Sequence, residues 1–366
     1  MGRADDGSGD PLCTGRSGGC AGVAGAGVPA WLACSVIAVL LLVGSAVAIY
    51  LACEWFVNAV EWLGQRLRLG PLAVGTILAA IGTALPESVV TFVAVVFGRT
   101  GVERDIGVGA AMGGPLALAT IAYAVVGLAL LGQRREPAPA EYGDGRRLRR
   151  DQVWFLAIFV VKVGLGLVVF AGKSWLGLIF FAVYGVYFWR EVSAGRAADH
   201  TGDDEGLAPL RIQPRRPVPA SWAVVAQTLA SLAVIFIASQ VFVHSLGTVG
   251  PAIGLPATVT ALLLSPIATE LPETLNALIW VRQGKTSLAL ANISGSMMIQ
   301  ATVPSGLGLL FTPWRFDAPL IASGVVTMAA IGYLLWALRT RITRARLAVA
   351  VLFYLAFAAA LTVILS

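Results

Sequence analysis

Gly82-Thr83-Ala84-Leu85-Pro86-Glu87 and Ala268-Thr269-Glu270-Leu271-Pro272-Glu273 are two versions of one hexapeptide, 186 residues apart, each inside an apolar stretch of membrane length. Each sets a carboxylate beside a proline at a depth where water is scarce. An ionisable side chain there is expensive to bury, so it marks a functional site by default. Proline-interrupted apolar segments in corresponding places of two halves point to a site where the halves meet.

The likeness extends beyond the hexapeptides. Residues 81–98 align with 267–284 at a constant offset, with Ile, Thr, Leu, Pro, Glu, Val and Gly recurring at 81, 83, 85, 86, 87, 95 and 98 and at their partners. After a shift of four residues, the Gly-rich stretch from Asp105 to Gly114 matches Ser287 to Ser296. Each motif therefore opens the second apolar span of its half, and a span of small residues follows it. Gly107, Gly109, Gly113 and Gly114, and Ala289, Ala291, Gly295 and Ser296, allow close helix packing, which by itself accounts for such residues.

The composition agrees with a polytopic membrane protein. Of the 366 residues, 57% are hydrophobic and 13% charged, and the mean hydropathy is +0.81. Runs long enough to cross a bilayer as helices recur throughout. The expected fold class is all-α, with ten transmembrane helices at roughly 30–57, 71–98, 105–132, 152–171, 174–190, 221–245, 252–281, 287–311, 317–338 and 346–365. The expected organisation is a disordered outer tail (1–28), a first five-helix repeat (29–190), a cytoplasmic linker (191–219) and a second five-helix repeat (220–366). The repeated motif regions fall at about 72–131 and 256–311. An odd number of spans per half turns the second copy upside down, and an inverted repeat brings the two motifs together near the midplane.

Basic residues set the orientation. With the N-terminus outside, nineteen of the 26 Lys and Arg lie on the inner rims and six on the outer, and Lys162 falls within a span. The positive-inside rule then places both termini outside the cell membrane. The inner rims account for the net charge of +6, so no nucleic-acid partner is implied. The apolar segment from Trp31 is too long for the core of a cleavable signal. Cys13 and Cys20 fall on the outer tail and can pair in an oxidising compartment, or serve as small residues without a role, as Cys34 and Cys53 do. His200 and His244 are the only histidines, which excludes a Cys/His zinc cluster. Gly284-Lys285-Thr286 lacks the upstream glycine of a phosphate loop and reads as an inner-rim turn. The acidic run Asp199, Asp203, Asp204 and Glu205 reads as solvated linker rather than a calcium sensor.

The motifs have a definite chemistry. Thr83 and Glu87 are four apart, as are Thr269 and Glu273, so each pair shares a helix face; Glu270 and Glu273 can share one too. A proline lacks an N–H and pushes away the carbonyl four residues back, which frees the oxygens of Gly82 and Ala268, and Pro266 does the same for Leu262. Carboxylate, hydroxyl and carbonyl oxygens from two facing hairpins make an all-oxygen cage, completed by the Asn292 amide. Ca2+ takes six to eight such oxygens at about 2.3–2.6 Å. Two bare carboxylates at that depth repel each other, so an emptied site should take up a proton or a second cation, which is the basis of exchange. Lys162 is too deep to reach water easily and needs a carboxylate or carbonyl partner.

These residues resemble the two alpha-repeats of the cation/calcium exchanger superfamily, the sodium/calcium exchangers and their prokaryotic relatives. The Thr-x-x-Pro-Glu core carries the resemblance, doubled and inverted over 72–131 and 256–311. It implies ten helices, alternating access, and cations bound between spans 2, 3, 7 and 8. Carried over by position, Glu87 and Glu273 would be the principal metal ligands, with Thr83, Thr269 and Asn292 assisting. Where the family usually has Ser after the motif Thr, this chain has Ala84 and Glu270; Ala110 replaces a usual polar residue, and the Gly-Ser-Asn endings become Gly113-Gly114-Pro115 and Gly295-Ser296-Met297. The first half has lost oxygen ligands, and the second has gained an acid that can carry protons. The resulting expectation is a cation antiporter, with no resident cofactor and no enzymatic activity, exchanging Ca2+ or a related cation for Na+ or H+ with inorganic cations and the bilayer as partners. The rivals are an intramembrane enzyme such as a lipid pyrophosphate phosphatase, for which neither motif has a nearby Arg or His, and a non-transporting relative of the exchangers.

Overall fold

The computed structural model describes residues 30–69, 73–97, 101–133, 137–198, 207–252, 263, 266 and 269–365. The tail 1–28 with Cys13 and Cys20, the acidic run at 199–205, and Leu262 and Ala268 lie outside the described residues, as do the side chains of Cys34 and Glu87.

Among the described residues every regular element is helical. In chain order they are α1 (Ala30–Arg66), α2 (Ala80–Phe92), α3 (Gly101–Ala117), α4 (Tyr123–Leu131), α5 (Gly145–Leu167), α6 (Gly177–Ala198), α7 (Ser221–Ala252), α8 (Leu271–Arg282), α9 (Thr286–Phe311), α10 (Ala318–Thr340), α11 (Arg344–Ala348) and α12 (Val351–Leu365). Widened π-helical turns, Val74–Ala79 and Val93–Phe97, flank α2, and a third, Leu118–Ala122, joins α3 to α4. Such turns leave backbone groups off the regular ladder and gather at functional sites.

Polar residues start and stop these apolar helices. Asp144 caps α5 by accepting from the Arg146 amide at 2.9 Å, and Asp317 caps α10 by accepting from Leu320 at 3.1 Å. The Lys173 ammonium closes the C-terminus of α5, donating to the carbonyls of Leu165 (3.0 Å), Val168 (2.8 Å) and Trp314 (3.0 Å). Between α8 and α9, Gly284 takes φ +77°. There the Lys285 amide reaches the Trp280 carbonyl (2.8 Å) and the Gly284 amide reaches Val281 (3.1 Å). That is a Schellman stop, and it explains why Gly284-Lys285-Thr286 is a turn. Lys285 then clamps Glu61 of α1 at 2.6 Å.

Six helical stretches among the described residues are long and apolar enough to cross a membrane: Val36–Arg66, Gly107–Leu131, Lys173–Ala194, Ser221–Phe242, Ala318–Thr340 and Arg344–Leu365. Most of them present bare apolar side chains outward, such as Leu40, Trp175, Leu229 and Val363, as lipid-facing helices do. Helix α9 is the opposite case. Every residue from Leu288 to Thr302 is buried, and the helix packs against α2, α3, α5, α6 and α8. Two glycines set the spacing at this axis. A Cβ on Gly295 would run into the Thr76 backbone, and one on Gly75 would meet the Ala291 Cβ at 2.9 Å and the Leu288 carbonyl at 3.0 Å. Helices α1 and α7 lie side by side and join this core through Cys53, Phe56, Val60 and Ile235. The 207–220 segment folds back onto them, burying Leu210 against Ala59, Trp62, Ala223 and Val224.

Candidate cation-binding site

The two motifs are built differently. Helix α2 runs without interruption through Pro86, so the expected break does not occur there; the irregularity is displaced into the π turns on either side. Gly82 faces Phe56 of α1 and Leu232 of α7, where a Cβ would come within 2.8 Å of the Phe56 ring. In the second motif the helix begins at the motif itself. Glu270 is the N-cap of α8 with φ −88° and ψ 6°, and Pro272 lies in its first turn. Proline suits that place, because its missing N–H is one the helix would leave unpaired anyway. Thr269 lies in the preceding turn, with its hydroxyl donating to the Pro266 carbonyl at 3.2 Å.

Glu273 therefore sits in the first turn of α8, where the helix dipole favours negative charge by about 0.3–1 kcal/mol. It is 1% exposed. Thr83 of the first motif lies within hydrogen-bond reach of its carboxylate, so the two motif regions do meet at this point. The same hydroxyl lies 3.0 Å from the Ala79 carbonyl, and its one proton serves one of the two. The other carboxylate oxygen, Oε2, has no hydrogen-bond partner among the described residues.

Glu270, also 1% exposed, is held by a residue that sequence reasoning passed over. The Gln300 amide of α9 donates to both of its carboxylate oxygens at 2.7 Å. Hydrogen bonds to a charged group return about 1.5–3 kcal/mol. The effective cost of burying an ion is several kcal/mol.

Around these acids lie further oxygens. Asn292, fully buried, donates from Nδ2 to the Glu273 carbonyl at 3.2 Å, while its Oδ1 finds no partner among the described residues. The Asn276 amide, one turn beyond Glu273, and the Ser296 hydroxyl are buried and similarly unsatisfied, as are the Ser88 and Thr91 hydroxyls on α2. A signal for part of this set existed in the sequence. Asn292, Ser296 and Gln300 recur every four residues, which places them on one stripe of α9. Unpaired buried polar groups cost about 1–3 kcal/mol each, so several on the adjoining helices α2, α8 and α9 call for a polar partner.

The donors are carboxylate, amide and hydroxyl oxygens, which suit hard cations rather than the soft ligand sets of zinc or copper. Among the described residues no cluster of three or more His, Cys, Asp or Glu exists that would hold a metal tightly.

Comparison with known proteins adds a second line of observation. A family model described as sodium/calcium exchanger protein matches residues 37–191 and 223–364. A protein named as an antiporter, CaxA of Alkalimonas amylolytica, is 26% identical over 309 residues, 83% of this chain and 90% of the relative. Inner membrane protein YrbG of Escherichia coli K12 is 29% identical over 286 residues, 76% of this chain and 81% of the relative. The sodium-calcium exchanger NCX_Mj, in a structure soaked with Na+ and Sr2+, superposes with a TM-score of 0.69 at 17% identity, covering 89% of this chain and 99% of that one. Soaked with zero Na+ and Ca2+, it superposes at 0.66. At that identity the likeness establishes a shared fold.

Proposed function

The chain belongs to the sodium/calcium exchanger protein family, multi-pass membrane proteins of cation antiport, and we propose that it exchanges Ca2+, or a closely related cation, for Na+ or H+ by alternating access. The observation that carries this reading is a set of buried oxygens on the adjoining helices α8 and α9 that have no partner among the described residues: the Glu273 Oε2, the Asn276 amide oxygen, the Asn292 Oδ1 and the Ser296 hydroxyl. Glu273 and Glu87 are the principal ligands in this account, with Thr83, Thr269 and Asn292 assisting and the freed carbonyls of Gly82 and Ala268 completing the cage. Glu270, bridged by Gln300, is the acid that responds to protons.

The wider arrangement belongs to the same proposal. Ten spans in two inverted sets of five, in the cell membrane with both termini outside, put Glu87 and Glu273 at a common depth. Cation release from one face leaves bare carboxylates that cannot stay so in a dry interior. The site therefore recrosses loaded with the counter-ion, and that obligation couples the two flows.

Radioactive calcium uptake into proteoliposomes tests this reading. Uptake should follow an imposed outward Na+ or H+ gradient and stop when an ionophore collapses that gradient. Purified, correctly inserted protein that takes up no Ca2+ under either gradient contradicts it.

A further inference from the structure

Lys162 of α5 is fully buried, in the part of the molecule where the first region has lost its oxygen ligands. Its ammonium donates to the Ala111 carbonyl of α3 at 2.6 Å and lies 5.0 Å from the Phe159 ring centroid. Its own carbonyl accepts from the Trp314 indole at 3.2 Å, which fixes the backbone from which the side chain reaches.

The receiving carbonyl is special for a reason legible in the sequence. Four residues after Ala111, inside α3, stands Pro115. In a helix the Ala111 oxygen would accept from the amide at 115, and proline has none. A freed carbonyl facing the interior is the kind of oxygen that coordinates a cation where helices are interrupted. Here an ammonium from this chain already occupies it.

Position points the same way. The carbonyl that receives the ammonium belongs to the residue after Ala110, which aligns with Asn292 of the second region.

We propose that Lys162 is a tethered cation: its ammonium supplies, in the first motif region, a positive charge that a mobile ion would otherwise bring. The proposal rests on the exchange reading and deepens it, because it makes Lys162 a determinant of stoichiometry. With the charge built in, one fewer mobile cation is carried per cycle. A merely structural lysine would be a poor choice at this place, since apolar residues of similar volume serve as well as or better than a buried charge.

The test is the charge moved per Ca2+. Full-length protein is reconstituted, the membrane potential is clamped with K+ and valinomycin under fixed Na+ and pH gradients, and the potential of zero net Ca2+ flux is found. Lys162→Gln keeps a donor for the Ala111 carbonyl but removes the charge; Lys162→Met keeps the length. Either should carry one more positive counter-ion per Ca2+ than the wild type, and Lys162→Arg should match the wild type. A Gln or Met variant that transports with unchanged charge per Ca2+ overturns the proposal. Where neither variant transports, equilibrium binding of radioactive Na+ together with proton uptake decides. One more monovalent cation bound per chain than in the wild type supports the tethered charge, and an equal count refutes it. Should the wild type itself move no Ca2+, the exchange reading has failed, and the binding count still judges Lys162.

Discussion

The two motif regions descend from one pattern, yet they have filled their interiors with opposite chemistry. Under the alignment that superimposes the motifs, Glu270, Asn276, Asn292, Ser296 and Gln300 of the second region face Ala84, Val90, Ala110, Gly114 and Leu118 of the first. The second set is buried and polar, and several of its atoms are unsatisfied among the described residues. In the first set Ala84 and Leu118 are fully buried and wholly apolar. What the first region brings instead is Thr83, within reach of Glu273, and a carbonyl already taken by Lys162. In the proposed site the second copy has become the larger part of the receptacle, while the first adds Glu87, Thr83 and a built-in charge. A duplicated pattern thus need not mean duplicated work.

Breaking the receptacle should cost most. Glu273→Gln removes the negative charge but little volume, and exchange should fall by about 100-fold or more, or about 2.7 kcal/mol in the transport barrier. The variant should still insert, as size-exclusion chromatography would report. Retention of near-normal calcium uptake would put the cation elsewhere.

Packing is tight in both small-residue spans. Gly295→Ala would drive a Cβ into the Thr76 backbone, and a Cβ on the aligned Gly113 would meet the Pro266 ring at 2.5 Å, whereas one on Gly109 meets nothing within 4 Å. Purified yield and thermal midpoint should drop sharply for Gly295→Ala and stay level for Gly109→Ala. Equal losses in both would mean that close packing extends beyond Gly113 and Gly295.

The Glu270–Gln300 pair sharpens the comparison further. Gln300→Leu strips both hydrogen bonds from a buried carboxylate, at about 1.5–3 kcal/mol. It should lower the thermal midpoint and displace the pH profile of uptake, and Glu270→Ala in the same chain should recover much of the stability. A double-mutant cycle without coupling would show that the pair does not act as a unit. Least is expected from Thr83→Ala, a few-fold loss of calcium affinity, since Thr83 contributes a single neutral oxygen there. An effect as large as that of Glu273→Gln would erase the asymmetry.

Much of this could be read from the residues alone. Hydropathy and the doubled hexapeptide led to an all-helical membrane protein of the exchanger family, because long apolar runs and buried carboxylates leave few other solutions. Lys162 announced its need for a carbonyl or carboxylate by depth alone. Other features were hidden for physical reasons. The continuity of α2 through Pro86 depends on π turns, which absorb the misfit without any distinct residue signal. Asn276 is a single polar residue on α8, and the four-residue stripe that ends at Gln300 marks a polar face of α9 without naming Glu270 as its partner; only the packing of α8 against α9 does so. The capture of the Ala111 carbonyl needed both Pro115 on one helix and Lys162 on another, and only the fold joins them.

Equilibrium binding of radioactive calcium to the purified full-length protein shows whether the cargo ion sits on Glu273 and the oxygens beside it. Wild type and Thr83→Ala should bind saturably, and Glu273→Gln should lose the site. Unchanged affinity in Glu273→Gln would contradict the account.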